Sequence, residues 1–169
     1  MKRKNYGLTL LLSLRSYGVY RSSPPFFFRK DFMATVKQVN DLIVKLMAIK
    51  GFAKDIHYTA QQYGDHLLAD RVAEDLDEKC DELKENVLLG NNAKVLKSSE
   101  YYEKASKEIP GFTGNIEDDI EELFWLVERT LKYCNGLKLD RADSSLVDGI
   151  CEKLKNAKGL LFLRLDKEG

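Results

Sequence analysis

The feature that most constrains the fold is the helical spacing of apolar residues over most of the chain. Between residues 35 and 165 apolar side chains recur every three or four positions, as in amphipathic helices, and no segment shows the alternation of a strand. None of the three prolines interrupts the long periodic segments. The pattern predicts an all-α protein, an antiparallel four-helix bundle made of two helical hairpins.

The predicted helices have recognisable ends. Helix A begins at a capping box, Thr35-x-x-Gln38, and runs to about Gln62, and Tyr63-Gly64-Asp65 forms the break before helix B. Helix B covers His66–Leu89, a short extra helix covers Ser99–Glu108 in the B–C connection, helix C runs from Asn115 to Gly136, and helix D starts near Asp140–Asp143.

Each long helix carries an apolar stripe that we expect to face the bundle core. The stripes are Val39, Leu42, Ile43, Leu46, Ile49, Ala53 and Ile56 in helix A; Ala69, Val72, Ala73, Leu76, Cys80, Leu83 and Val87 in B; Ile116, Ile120, Leu123, Phe124, Val127, Leu131 and Cys134 in C; and Leu146, Val147, Ile150, Leu154, Ala157 and Leu161 in D. Residues 33–169 are therefore interpreted as one domain.

Residues 1–32 differ from the rest of the chain. They contain seven basic residues, one acidic residue, a short apolar run and no helical period. We interpret them as an N-terminal extension, either disordered or the product of a mis-assigned start at Met1 rather than Met33. A secretory signal and an organelle transit segment are the alternatives.

Charge and cysteine content indicate the setting. Residues 33–169 hold 20 basic and 26 acidic residues, a poor surface for nucleic acid and a suitable one for cations. The three cysteines are far apart and form no CxxC pair, which favours reduced thiols in a cytoplasmic protein. No stretch is long enough to predict a membrane span.

Both histidines of the chain lie in one short stretch, followed by a row of carboxylates. His57 falls on the apolar face of helix A, and His66 opens helix B. The carboxylates form a strip along one edge of the apolar stripe of helix B: Asp70, Glu74, Asp77, Asp81 and Glu85. Imidazole nitrogens with carboxylate oxygens suit iron, manganese or zinc. Spacing alone leaves a solvated polar face with core histidines, a metal site and a partner-binding surface all open.

This pattern resembles the Dps family, the miniferritins of the ferritin-like superfamily. The matching elements are the histidine-aromatic pair His57-Tyr58, the pair His66-x-x-x-Asp70 and the element Asp81-x-x-x-Glu85. The interval between the two histidines is a few residues shorter than usual, and Asn86 stands where arginine commonly follows the glutamate. The resemblance covers about residues 33–165 and indicates a divergent member.

The resemblance implies a function that composition alone does not. It implies that His57, His66 and Asp70 of one subunit and Asp81 and Glu85 of a neighbour bind iron at a ferroxidase site on a two-fold interface. Such proteins oxidise Fe(II) and store the ferric product in a homo-oligomeric shell, often a dodecamer, which protects against peroxide stress. Many also bind DNA through basic tails, which here would require residues 1–32.

Two other hypotheses stay open. The first is a non-catalytic ferritin-like bundle that acts as an interaction or structural protein, motivated by the shortened turn between the histidines. The second is a different di-metal bundle enzyme, against which the absence of any histidine beyond His66 weighs.

Overall fold

The computed structural model describes residues 26–166, with side chains described for residues 35–140 and 143–166. This part of the chain contains helices and connecting loops but no strand, which confirms the all-α prediction. The elements are α1 (Phe26–Thr59), α2 (Tyr63–Ala73), α3 (Leu76–Glu82), a π-helical segment (Leu83–Leu89), α4 (Ser98–Glu108), α5 (Ile116–Asn135) and α6 (Arg141–Asp166). Within residues 26–166, no helix has both the length and the apolar content needed to cross a bilayer.

The helices pack as a bundle around one apolar core. The α1 helix contacts α2, α3, α4 and α5, while α5 packs along α6, and α6 also contacts α2. The α1 helix runs antiparallel to α2 and α3, since Lys54 pairs with Asp70 and the earlier Lys50 pairs with the later Asp77. The predicted stripes are buried, except for Ile116, Phe124 and Leu146, which are half-buried.

The start of the first helix differs from the prediction. α1 is already helical at Phe26 and continues through Thr35, so the expected helix start at the Thr35 capping box is wrong. Position 32, where the N-terminal extension was expected to end, therefore lies inside α1. The first 25 residues of that predicted extension lie outside the described residues.

The second bundle helix, predicted as one helix over His66–Leu89, is interrupted. α2 ends at Ala73, and Asp75 adopts the left-handed conformation with φ of 62° before α3 begins. Lys153 of α6 supports this junction, because its Nζ lies 3.4 Å from the carbonyl oxygen of Arg71 and 3.7 Å from Oδ2 of Asp75. Beyond α3, the chain widens into the π-helical segment.

The predicted ends of the remaining helices agree with the structure to within about two residues. Oδ1 of Asn115 accepts a hydrogen bond from the backbone N–H of Glu117 at 3.3 Å, as expected of a helix N-cap, and α5 ends before Gly136. The extra helix in the B–C connection is α4, which packs on α1. Its Tyr101 is buried and donates its hydroxyl hydrogen to Oδ1 of Asn40.

Candidate metal centre

The chain reverses direction between α1 and α2 within residues 60–62. At the end of α1 the Thr59 hydroxyl donates to the carbonyl of Asp55 at 2.8 Å, and the backbone N–H of His66 donates to the carbonyl of Gln62 at 3.1 Å. The predicted break at residues 63–65 is wrong, because these residues form the first turn of α2. The reversal brings His57 and His66 onto facing surfaces.

The two imidazole rings are stacked. Their centroids lie 3.6 Å apart with an interplanar angle of 29°. Nδ1 of His66 is 2.8 Å from the carbonyl oxygen of His57, and Nδ1 of His57 is 3.3 Å from the carbonyl oxygen of His66. A carbonyl only accepts, so this network assigns the proton to each Nδ1 and leaves a lone pair on each Nε2 in the neutral ring.

Asp70 lies against this histidine pair. Its Oδ1 is 3.3 Å from Nδ1 of His57 and accepts a hydrogen bond from Nζ of Lys54 at 2.7 Å. That hydrogen bond lowers the pKa of Asp70 below its usual value and raises the pKa of Lys54. The three ligands that the Dps-like pattern places on one subunit are thus next to one another, together with a lysine that the pattern does not include.

Asp81 and Glu85 do not join this cluster within one chain. Cys80, the residue before Asp81, shows where this part of the chain packs. Its thiol lies 3.9 Å from the carbonyl oxygen of Ile43, several helical turns before His57 on α1. About 20 Å of helix separates these two levels. Both carboxylates are exposed, and Asp81 pairs with Lys84 at 2.9 Å. Within one chain, Asp81 and Glu85 therefore lie apart from the histidines.

The donor types of the cluster suit iron, but one chain supplies an incomplete set. Two imidazole nitrogens and a carboxylate oxygen are appropriate ligands for Fe(II). Among the described residues, however, no group of three or more histidine, cysteine, aspartate or glutamate side chains is arranged to hold a metal ion. An open cleft of about 380 Å³ exposes Asp70 and Lys54 to solvent. It is lined by Lys54, Leu67, Asp70, Arg71, Ala73 and Glu74.

Basic side chains of the same chain neutralise much of the acidic strip. Asp77 pairs with Lys50 of α1, and Glu74 pairs with Arg71 at 2.9 Å. With Lys54 on Asp70 and Lys84 on Asp81, four of the five predicted strip carboxylates have a cationic partner. Most of the strip is therefore a set of intrachain ion pairs rather than an open surface that collects cations.

The sequence interpretation did not predict the roles of two residues near the cluster, Asp65 and Lys54. Asp65, predicted to cap helix B, is buried and accepts hydrogen bonds from Nε and Nη2 of Arg164 at 2.6 and 3.3 Å. The N-cap of α2 is instead Gln62, whose side chain makes no capping bond. Lys54 also went unpredicted, although its position three residues before His57 was a usable signal, because i and i+3 side chains share a helix face.

Comparison with known proteins does not add a family. The chain matches no model of a known protein family, no curated protein and no solved structure. The resemblance to the Dps family therefore rests on the residue pattern alone.

Proposed function

We propose that this protein is a Dps-like ferroxidase, an oxidoreductase that binds Fe(II) as its substrate, oxidises it and stores the ferric product. The observation that carries the proposal is the chain reversal that stacks His57 on His66 and brings Asp70 into contact with His57. These residues are far enough apart in sequence that the contact requires a specific fold. They are also the residues that the Dps-like pattern assigns to one subunit.

The chemistry follows from the ligand types. Each imidazole donates its Nδ1 proton to a backbone carbonyl, so its Nε2 lone pair stays available for a metal ion. Asp70 is ionised and supplies negative charge that favours a cation. Two Fe(II) ions supply the two electrons that reduce one hydrogen peroxide, with two protons, to two water molecules. This stoichiometry suppresses hydroxyl-radical formation.

A second copy completes the proposed site. Asp81 in α3 and Glu85 in the π-helical segment are exposed, about 20 Å along the bundle from His57. In a two-fold contact, α3 and the π-helical segment of one copy would lie against the α1–α2 end of the other, and the symmetry would generate two equivalent sites. The ferritin-like arrangement and a dodecameric shell are part of this proposal. DNA binding would depend on the basic residues 1–32.

The test compares two aspartates that both pair with α1 lysines. Asp70 lies beside the histidines, whereas Asp77 pairs with Lys50 away from them. We expect a His66→Ala, Asp70→Ala double variant to oxidise Fe(II) with peroxide much more slowly than wild type, as followed by ferric absorbance. Asp77→Asn is the matched control and should keep the wild-type rate. Equal rates for wild type and the double variant would contradict the proposal.

The shared site has its own test. A chain with Asp70→Asn lacks one half of the proposed site, and a chain with Asp81→Asn and Glu85→Gln lacks the other. Mixed dimers of these two chains contain one intact site, so mixing should restore part of the activity that each variant lacks. Failure to recover activity, despite subunit exchange shown by native mass spectrometry, would exclude a site shared between copies.

One observation favours a second candidate, a non-catalytic helical bundle with an interaction or structural role. Lys54 already binds the carboxylate nearest the histidines, and much of the acidic strip is paired within the chain. In that case wild type and the double variant would oxidise Fe(II) equally slowly, while both remain folded by circular dichroism.

A further inference from the structure

The ammonium group of Lys54 donates a hydrogen bond to Oδ1 of Asp70, the carboxylate oxygen that lies beside His57. We propose that Lys54 is a built-in competitor of the metal ion, a positioning residue that holds Asp70 in place and must be displaced before a divalent cation can bind there. This inference rests on the proposed function of the same site, and it concerns how that site is regulated.

The geometry makes the competition direct. Nζ of Lys54 is 2.7 Å from Oδ1 of Asp70, and this same oxygen is the one that lies 3.3 Å from Nδ1 of His57. A metal ion bound to this carboxylate oxygen would stand within a few ångströms of the ammonium. Two positive charges at such a distance repel each other, so the lysine and the metal ion exclude one another.

Lys54 has room to leave. Its side chain is about one-third exposed, and it lines the open cleft beside Asp70. Its long, flexible stem allows the ammonium to move into solvent while the helix backbone stays in place. A displaced lysine therefore costs one exposed ion pair rather than a rearrangement of the bundle.

The chain contains a matched control for this inference. Lys50 lies one helical turn earlier on α1 and makes the same kind of ion pair with Asp77. The Lys54–Asp70 pair lies against His57, whereas the Lys50–Asp77 pair lies further along α1 from the histidines. Removing the charge of Lys50 therefore changes the net charge of the protein as much as removing that of Lys54, without touching the proposed site.

The experiment measures metal affinity directly, with Co(II) as the probe. The full chain, Lys54→Met, Lys54→Arg and Lys50→Met are titrated by calorimetry, and the visible absorption of bound Co(II) reports its ligand environment. We expect Lys54→Met to bind Co(II) about fivefold more tightly than wild type, the order expected when one exposed competing ion pair is lost. Lys54→Arg, which keeps the charge, and Lys50→Met should stay close to wild type.

The outcomes separate this inference from the proposed function. Equal binding by wild type and Lys54→Met, or an equal gain in Lys50→Met, overturns the competition and leaves the iron site standing. Weaker binding by Lys54→Met also overturns it, since the lysine would then assist the metal. Absence of binding in every variant overturns both proposals. Urea midpoints check folding, and Lys54→Gln serves as a second neutral variant if Lys54→Met is unstable.

Discussion

The two halves of the second bundle helix carry similar carboxylates but use them differently. In α2, Asp65 is buried against Arg164 of α6, and Asp70 meets Lys54 and His57 of α1. In α3 and the π-helical segment, Asp81 pairs with Lys84 three residues along the same chain, and Glu85 is exposed. Each half also makes one partly exposed ion pair with α1, Asp70 with Lys54 and Asp77 with Lys50. Of the two halves, only the α2 half buries a carboxylate, Asp65, against a basic side chain of another helix.

The spacing of carboxylates along a helix therefore does not define the role of each one. The packing helix supplies the partner, and the partner decides whether the group is structural, available to a ligand or simply solvated. The α2 half therefore has one buried ion pair and the cluster of His57, His66 and Asp70. The lower half has the exposed carboxylates Asp81 and Glu85, which the proposed function assigns to the site of a neighbouring copy.

The largest expected difference between the halves is in the stability contributed by the Asp65–Arg164 and Asp81–Lys84 ion pairs. Replacing Asp65 by Ala removes the buried carboxylate that accepts two hydrogen bonds from Arg164, and we expect the free energy of unfolding to fall by about 3 kcal/mol. Asp81→Ala removes an exposed pair within one helical row and should cost less than about 0.5 kcal/mol. Urea denaturation measures both. Similar losses in the two variants would show that the halves do not differ as described.

The histidine contact should contribute less than the buried ion pair. His66→Ala removes the 2.8 Å hydrogen bond to the carbonyl of His57 as well as the ring stack. We expect the free energy of unfolding to fall by about 1 kcal/mol, the typical contribution of one such hydrogen bond. Glu85→Ala in the lower half is the comparison, with a change within about 0.5 kcal/mol. No loss in His66→Ala would mean that the two rings do not pack as described.

The junction between the halves should respond in the opposite direction. Asp75 has a φ of 62°, a conformation that glycine adopts without a steric penalty. Asp75→Gly should raise the free energy of unfolding by about 0.5 kcal/mol, even though its long contact with Lys153 is lost. Glu78→Gly, within α3, should instead lower it by about 1 kcal/mol. A loss of stability in both variants would argue that Lys153 holds the junction more strongly than its geometry indicates.

The smallest expected effect is the pH dependence of the Lys54–Asp70 pair. The hydrogen bond from Lys54 lowers the pKa of Asp70 in the folded protein. The pair therefore stabilises the folded state fully above the usual aspartate pKa of about 4, and this contribution is lost as the pH falls through the lowered value. A double-mutant cycle with Lys54→Met and Asp70→Asn, measured by urea unfolding at several pH values, isolates the coupling. A coupling that grows towards acid pH would contradict this assignment.

Several helix boundaries were predicted correctly from local determinants. The cap at Asn115, the stop at Gly136 and the short helix α4 depend on contacts within a few residues of each end. The break at Asp75 was not predictable, because no glycine or proline marks it and its support comes from Lys153 on a distant helix. The prediction of a break at Gly64 was wrong, because a glycine permits a turn without requiring one.

The candidate site was predictable only in part. His57, His66 and Asp70 could be named from their types and spacing, and the structure brings them together. The partner of Asp65 is Arg164, almost a hundred positions away, and no local pattern connects them. Lys54 lies on the same helix as His57, but its pairing with Asp70 depends on how α1 and α2 face each other.

The sequence by itself determined the helical class, the apolar faces and the identity of the donor atoms, because these depend on the order of residue types along each segment. Only the tertiary structure decided which charges meet, where the second helix breaks and that a lysine already binds the carboxylate beside the histidines. Ion pairs and ligand clusters form between helices, and their geometry depends on the rotation and register with which the apolar faces pack.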